Sequence, residues 1–218
     1  MKPPNRLVAM IHLALLDDHP AVLAGLRRLI EHEPDLLIVG AAPSAPELAR
    51  QIGEQRADVL VLDHDLARSD GLSQCRRVKD RPDPPAVIIY SAFASQALAL
   101  AARVAHADAV VNKTDPVSSL LAAIRAVAAG GTVLPAIPRD AYETATARLT
   151  DDDLPILAML LGGETLPAIA HALRTDQAEI AWRAQRIIGR LRPGATSRSN
   201  GKTAEAGDHR VRELPPPL

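Results

Sequence analysis

Short apolar runs alternate with helical stripes of apolar residues along residues 10–131. Five runs have the character of buried strands, at 12–16, 36–40, 59–63, 86–90 and 109–111. Between them the apolar residues recur at helical spacing, in segments that start at Pro20 and then cover 44–55, 71–80, 94–105 and 116–129. Strands that are apolar on both faces and alternate with helices are typical of a parallel sheet covered on both sides. The pattern predicts an α/β fold with one doubly wound, five-stranded parallel sheet.

Polar residues follow four of these strands at the point where each apolar run stops. They are Asp17-Asp18, Asp63, Ser91 and Lys113. A single aspartate such as Asp63 is more often the start of a turn. In a parallel sheet, however, the carboxyl ends of the strands share one edge, which is where open α/β sheets build their sites. Three carboxylates, a hydroxyl and an ammonium group are therefore expected to meet there.

This set of side chains suits phosphoryl transfer. Three neighbouring carboxylates need a cation to remain ionised together, and oxygen ligands with water suit Mg²⁺. An aspartate can act as the nucleophile toward phosphorus. Lys113 can pair with a phosphate oxygen, and the Ser91 hydroxyl can hydrogen-bond another. The histidines of this region, His12, His19 and His64, are scattered and lack a ligand pattern.

Residues 149–193 have a different organisation, with three short helices and no strand pattern. A segment with two prolines, 132–148, reads as a linker before them. The first helix is expected to start with Thr150 as its N-cap and to be shortened or distorted by Pro155. The second is capped by Thr165, and the third covers 177–191. Three short helices with a tight connection between the last two predict a helix-turn-helix. The polar tail, 194–218, ends in three prolines and is expected to be disordered.

Composition narrows the class of protein without deciding its function. The 218 residues are 47% hydrophobic but only 2% aromatic, and the net charge is -1, so the total charge predicts no nucleic-acid or membrane partner. A lone cysteine, Cys75, excludes a disulfide framework. No apolar run reaches the length of a membrane-spanning helix. We therefore expect a soluble, cytoplasmic protein, and the lack of a second catalytic cluster argues against an enzyme.

Residues 12–131 resemble the receiver domain of two-component response regulators of the NarL/FixJ type. The segments that carry the resemblance are LLDDHP at 15–20, VLVLDHDLARSDG at 59–71, IIYSA at 88–92 and VVNKTD at 110–115. It implies a flavodoxin-like strand order of 2-1-3-4-5 and a phospho-acceptor at Asp63. It also implies that Asp17, Asp18 and Asp63 hold Mg²⁺ and that Ser91 and Lys113 contact the phosphoryl group. Val110 stands where the family has its switch aromatic, so the usual ring rotation is absent.

Residues 149–193 resemble the LuxR-type DNA-binding domain, which makes 177–191 the recognition helix. The resemblance implies that five residues of this helix face DNA: Trp182, Arg183, Gln185, Arg186 and Arg190. Glu179 and Ala181 replace the threonine and lysine that are common in the family, and no fourth helix is evident, so this domain is degenerate. Five arginines stand against six acidic residues between 150 and 193. Trp182 has two open interpretations, an exposed contact residue or a partly buried flank of the helix.

Two functional hypotheses follow, with a receiver at 10–131, a linker at 132–148 and a helix-turn-helix domain at 149–193. In the first, a sensor histidine kinase phosphorylates Asp63, and the chain dimerises, binds DNA and regulates transcription. In the second, the helix-turn-helix domain has lost DNA binding, and the chain is a phosphorylation-controlled protein-interaction module or a phosphoryl sink.

Overall fold

A computed structural model describes residues 10–67 and 69–192 of the chain. The strands are β1 (Ile11–Leu16), β2 (Leu36–Ala42), β3 (Val59–Asp63), β4 (Asp65–Leu66), β5 (Ser69–Asp70), β6 (Ala86–Ser91) and β7 (Ala109–Asn112). The helices are α1 (Pro20–Ile30), α2 (Ala45–Ile52), α3 (Gly71–Lys79), α4 (Gln96–Val104), α5 (Val117–Ala128), α6 (Arg139–Thr146), α7 (Asp153–Leu161), α8 (Leu166–Leu173) and α9 (Gln177–Leu191). The predicted tail at 194–218 lies outside the described residues.

Five of the strands form one parallel sheet in the order β2-β1-β3-β6-β7. Counted without β4 and β5, this is the order 2-1-3-4-5, so the predicted doubly wound sheet is confirmed. The strands β4 and β5 form a separate two-residue antiparallel hairpin directly after β3. In the register of the sheet Leu16 lies beside Leu62, which brings the ends of β1 and β3 together.

The sheet is buried on both faces, which explains why its strands read as continuous apolar runs. Leu13 and Leu15 of β1 pack with α1 and α5 on one face, while Ala14 and Leu16 pack with α2, α3 and α4 on the other. All five residues of β3 are buried. Aliphatic side chains fill both layers, as the low aromatic content requires.

Helix α2 lacks a side-chain cap at its N-cap residue, and one predicted helix start is wrong. Ser44 precedes α2 but its side chain makes no capping bond, because Pro46 removes one of the two amide groups that a cap could use. Helix α7 begins at Asp153 instead of Thr150. Pro155 consequently lies in the first turn, where its missing N–H has no partner to lose, so it does not shorten the helix.

The C-terminal helices continue the core of the sheet. Buried residues of α7, α8 and α9 form one hydrophobic cluster with those of α3 and α4. The predicted linker contains the eight-residue helix α6, and its Ala145 joins the same cluster. His106 Nε2 lies 3.2 Å from the Leu160 carbonyl oxygen, and Gln185 donates to the Ser73 carbonyl at 3.5 Å. The predicted recognition helix is thus packed against the receiver.

No helix within the described ranges is long and apolar enough to cross a membrane.

Gly71→Ala is expected to destabilise the protein. A Cβ atom at this position would fall well inside contact distance of the Asp63 carbonyl oxygen and lie 2.9 Å from His64 Cα, both backbone atoms that cannot move freely. We expect a loss of about 1–3 kcal/mol of unfolding free energy in urea titration.

The control is Gly25→Ala in α1, where an added Cβ meets nothing within 4 Å. Removing a helical glycine there should stabilise by about 0.5–1 kcal/mol. Equal effects of the two substitutions would contradict the close packing of α3 against the end of β3.

Candidate phosphoryl-acceptor site and its partner helix

Three carboxylates meet at the carboxyl edge of the sheet, as predicted. Asp17 and Asp18 follow β1, and Asp63 is the last residue of β3. Asp17 and Asp63 are almost fully buried. Asp18 is only partly buried, and its Oδ2 accepts a hydrogen bond of 2.6 Å from the Ala67 amide. The sheet register produces this cluster, since the three residues come from two adjacent strands.

Lys113 reaches this cluster from the loop after β7. Its Nζ lies 2.6 Å from Asp17 Oδ2 and 3.0 Å from Asp63 Oδ1. Burial alone would lower the pKa of Lys113, but the hydrogen bonds to Asp17 and Asp63 outweigh it and the pKa is raised. The amine therefore remains a cation that neutralises part of the carboxylate charge.

Among the residues that the structure describes, two carboxylate oxygens of the cluster have no hydrogen-bond partner. They are Asp18 Oδ1 and Asp63 Oδ2, both buried. An unpaired buried carboxylate oxygen is costly unless a cation or a donor satisfies it. Asp17, Asp18, His19 and Asp63 each offer one ligand atom, and these atoms all lie within 4.8 Å of one another. The pocket therefore fits a cation.

Ser91 ends β6 at the same edge of the sheet and is buried. Its hydroxyl oxygen accepts from the Phe93 amide at 3.2 Å and lies 3.5 Å from the Phe93 carbonyl oxygen. The Phe93 ring is 77% exposed. The Ser91 hydroxyl is thus held by the backbone of the β6–α4 loop.

The five residues expected to face DNA all lie on α9. Trp182 is 60% exposed, so it is not the partly buried flank of the helix, and its role as a contact residue stays a prediction. The Arg186 guanidinium group lies 4.6 Å from the centre of its ring, a cation–π distance. Gln185 instead faces α3 through its bond to Ser73.

The three arginines of α9 converge on one buried carboxylate. Asp153, the first residue of α7, is fully buried and lies 3.6 Å from Arg183, 2.5 Å from Arg186 and 2.9 Å from Arg190. Burial favours the neutral acid, but the hydrogen bonds from Arg186 and Thr150 and the Arg186 charge outweigh it, so the pKa of Asp153 is lowered. These arginines therefore form ion pairs within the helix-turn-helix and hold α9 against α7.

Comparisons with known proteins agree with this architecture. A family model described as the response regulator receiver domain matches residues 13–125, more than half of the chain. A solved LuxR-family two-component response regulator from Aurantimonas sp. SI85-9A1 is 32% identical with a TM-score of 0.54, and the match covers 65% of this chain and 100% of that one. The chain belongs to the LuxR-family two-component response regulators. The resemblance read from the sequence is confirmed.

Other relatives extend over both parts of the response regulator. The DNA-binding transcriptional activator DevR/DosR of Mycobacterium tuberculosis is 29% identical over 192 residues, covering 84% of this chain and 88% of the relative. The transcriptional regulatory protein LiaR of Bacillus subtilis is 28% identical over 175 residues, covering 75% and 82%. RcsB from Salmonella enterica serovar Typhimurium, solved bound to the P1flhDC promoter with BeF3⁻, is 21% identical with a TM-score of 0.56 over 83% of this chain and 91% of that chain. This last match supports the fold alone.

Two residues of these sites were missed from the sequence. His19 was set aside among scattered histidines, yet its Nδ1 lies 3.0 Å from Asp18 Oδ1 and 3.2 Å from Asp17 Oδ1. Its position directly after the two aspartates was the available signal. Asp153 was read as one of three acidic residues at a helix start, and no local signal distinguishes it from Asp151 and Asp152.

The position expected to hold a switch aromatic carries Val110, which is buried in β7 within the hydrophobic cluster shared with α4. A valine side chain there cannot swing between an inward and an outward position as a ring would. The hydrogen bonds between Ser91 and the Phe93 backbone are instead the direct connection from the site to the following loop.

Asp153→Asn is expected to destabilise the response regulator by about 2–3 kcal/mol at neutral pH, because three arginines lose their common anion. The pKa of Asp153 is lower in the folded than in the unfolded state, so its contribution is present above the unfolded pKa of about 3.9 and is lost as pH falls through the folded value. Urea titration from pH 7 to pH 3 measures both effects.

The control is Asp151→Asn, an exposed residue two positions earlier. It should change stability by less than about 0.5 kcal/mol. A difference between wild type and Asp153→Asn that persists unchanged at pH 3 would contradict the role of the ionised carboxylate.

Proposed function

We propose that this response regulator accepts a phosphoryl group on Asp63 from a sensor histidine kinase and thereby controls DNA binding by α9 and transcription. The observation that carries the proposal is the pocket itself. A buried aspartate presents one oxygen without a partner, beside two further carboxylates and a lysine from another strand end. The names of the relatives describe transcription regulators, in keeping with the expectation that the chain is not an enzyme.

In this proposal the reaction begins at Asp63 Oδ2, the oxygen without a hydrogen bond. It attacks phosphorus while the phosphorus–nitrogen bond of the kinase's phosphohistidine breaks, and the electron pair of that bond returns to the imidazole. The other oxygen, Oδ1, stays 3.0 Å from Lys113 Nζ, which is placed to contact a phosphoryl oxygen next. The Ser91 hydroxyl, released from the Phe93 backbone, would hydrogen-bond another.

The residues that would hold Mg²⁺ are Asp17, Asp18 and Asp63, whose oxygens are the hard ligands that this ion prefers. When bound, the ion supplies neutralisation of the negative charge on the phosphoryl group and the carboxylates.

Asp63→Asn should abolish labelling of the full chain by a small-molecule phosphodonor such as acetyl phosphate with Mg²⁺, because an amide oxygen is not a nucleophile toward phosphorus. Intact-protein mass spectrometry measures the added phosphoryl group.

Asp65→Asn is the matched control, since Asp65 is exposed and lies two residues further along the chain. It should still be labelled. Labelling of Asp63→Asn at the wild-type level would contradict the assignment of Asp63 as the phospho-acceptor.

Output in this proposal requires α9 to leave its present position. The helix contacts α3 and α4, and Gln185 is bonded to the Ser73 carbonyl. An α-helix with its side chains about fills a major groove, so α9 cannot enter DNA with α3 and α4 against it. Phosphorylation would therefore act by favouring a separated state, and a homodimer on DNA is the expected assembly. Because the proposed target is DNA, the protein is expected to act in the cytoplasm.

The full chain should bind DNA more tightly with beryllium fluoride and Mg²⁺ than without them. The measurement is selection from a random duplex library, followed by fluorescence anisotropy on an enriched sequence across a salt series. The affinity should fall with salt, because some arginine contacts reach phosphate. No binding at low salt with the mimic would contradict the proposal and direct the search to a protein partner.

Trp182→Ala should weaken this binding by about tenfold, the usual cost of losing one base-contacting side chain. Trp182 is the cleaner probe, because changing the arginines would also strip Asp153 of its partners. Tyr142→Ala on α6, another exposed aromatic residue, is the control and should leave the affinity unchanged.

A further inference from the structure

We infer that His19 is a nitrogen ligand of the cation in the acidic pocket and makes this pocket favour a transition metal ion such as Mn²⁺ over Mg²⁺. The inference deepens the proposed function and rests on it only in that the pocket holds a cation. It concerns the identity of the ion. If only carboxylates bound the ion, Mg²⁺ would be the expected occupant.

The carboxylates of the pocket have two sides, and His19 occupies the side that Lys113 leaves free. Lys113 Nζ contacts Asp17 Oδ2 and Asp63 Oδ1. His19 Nδ1 lies beside the opposite oxygens, within hydrogen-bond distance of Asp17 Oδ1 at 3.2 Å, and at 3.0 Å from Asp18 Oδ1 and 3.7 Å from Asp63 Oδ2. The ammonium group and the imidazole therefore lie on different sides of one carboxylate cluster.

The two oxygens without hydrogen-bond partners are both on the His19 side. Asp18 Oδ1 and Asp63 Oδ2 are buried and accept no hydrogen bond from the described part of the chain, and both lie within 3.7 Å of Nδ1. A cation placed among these atoms would satisfy both oxygens. The position where a cation would compensate these two oxygens is therefore next to the imidazole nitrogen.

The distances match the spacing of ligands around one ion. Neighbouring ligands of an octahedral ion with bonds of about 2.1 Å lie about 3.0 Å apart. The separation of Nδ1 from Asp18 Oδ1 equals this edge, and the separation from Asp17 Oδ1 is 0.2 Å longer. Asp63 Oδ2 is 3.7 Å from Nδ1, so a small movement toward Nδ1 would bring it to the same ligand spacing.

The types of donor atom determine which ion binds more tightly. Mg²⁺ is a hard ion that favours oxygen and water, whereas imidazole is a good ligand for first-row transition ions. One nitrogen added to three carboxylates consequently raises the affinity for Mn²⁺ more than for Mg²⁺. Ligation needs the Nδ1 lone pair, with the ring proton on Nε2, and the side chain is 64% exposed so that Nε2 can meet water.

The backbone already orients the ring for this role. His19 precedes α1 in an extended conformation, and its amide donates to Asp17 Oδ1 at 2.9 Å. This bond belongs to the main chain and survives any substitution of the imidazole. A His19 variant therefore removes the nitrogen without removing the anchor of the loop.

The test compares full-length wild type with His19→Gln and His19→Asn. Isothermal titration calorimetry measures the affinities for MnCl₂ and MgCl₂ in separate titrations. We expect Mn²⁺ binding to weaken about tenfold or more and Mg²⁺ binding to change less than about twofold. Pulsed electron paramagnetic resonance of bound Mn²⁺ should show coupling to a directly bonded nitrogen in wild type and none in either variant.

His32→Gln, which changes an exposed histidine just after α1, is the control and should retain both the affinity and the coupling. Equal weakening of Mn²⁺ and Mg²⁺ in the His19 variants, or no nitrogen coupling in wild type, would overturn the inference. Neither measurement needs phosphorylation. If the nitrogen coupling is present but Asp63 is never labelled, only the assignment of Asp63 as phospho-acceptor is wrong. If Asp63 is labelled but no nitrogen coupling is seen, only the assignment of His19 as a ligand is wrong.

Discussion

The concentration of negative charge at one edge of the sheet is the constraint on which the rest of the site depends. Parallel strands deliver Asp17 and Asp63 side by side in a buried place, where unpaired carboxylates are costly. Lys113 offsets part of that cost from the end of β7. The remaining deficit of positive charge falls on Asp18 Oδ1 and Asp63 Oδ2. That deficit makes the pocket fit a cation, and it is the reason for proposing that Asp63 reacts through Oδ2.

A second buried carboxylate organises the C-terminal helices in the same way. Asp153 is paired with Arg183, Arg186 and Arg190, so the charges expected to face DNA also hold the helix-turn-helix together. Each arginine carries five donors, and one carboxylate cannot engage them all. These arginines therefore keep donors that Asp153 does not use, in a domain whose acidic residues outnumber its arginines.

The two parts of the response regulator are coupled by packing more than by polar contacts. One hydrophobic cluster extends from the sheet through α3 and α4 to α9. The polar contacts across this junction that involve α7 and α9 include His106 with the Leu160 carbonyl and Gln185 with the Ser73 carbonyl. Apolar contacts are non-directional, so the helices can separate without leaving many buried polar groups unsatisfied.

The pattern of apolar and polar residues predicts the parallel sheet, the alternation of strands and helices along the chain, and the convergence of Asp17, Asp18, Asp63 and Lys113. The spatial order of the strands came from the family resemblance. Apolar periodicity reports burial directly, and the geometry of parallel strands places their ends at one edge. The folded chain was needed to show that His19 lies beside Asp18 Oδ1 and Asp63 Oδ2. It was also needed to show that Asp153, rather than Asp151 or Asp152, pairs with the arginines. It also decided that Ser44 does not cap α2 and that Pro155 falls in the first turn of α7. These outcomes depend on side-chain directions and on contacts between distant segments, which a local pattern of apolar and polar residues does not encode.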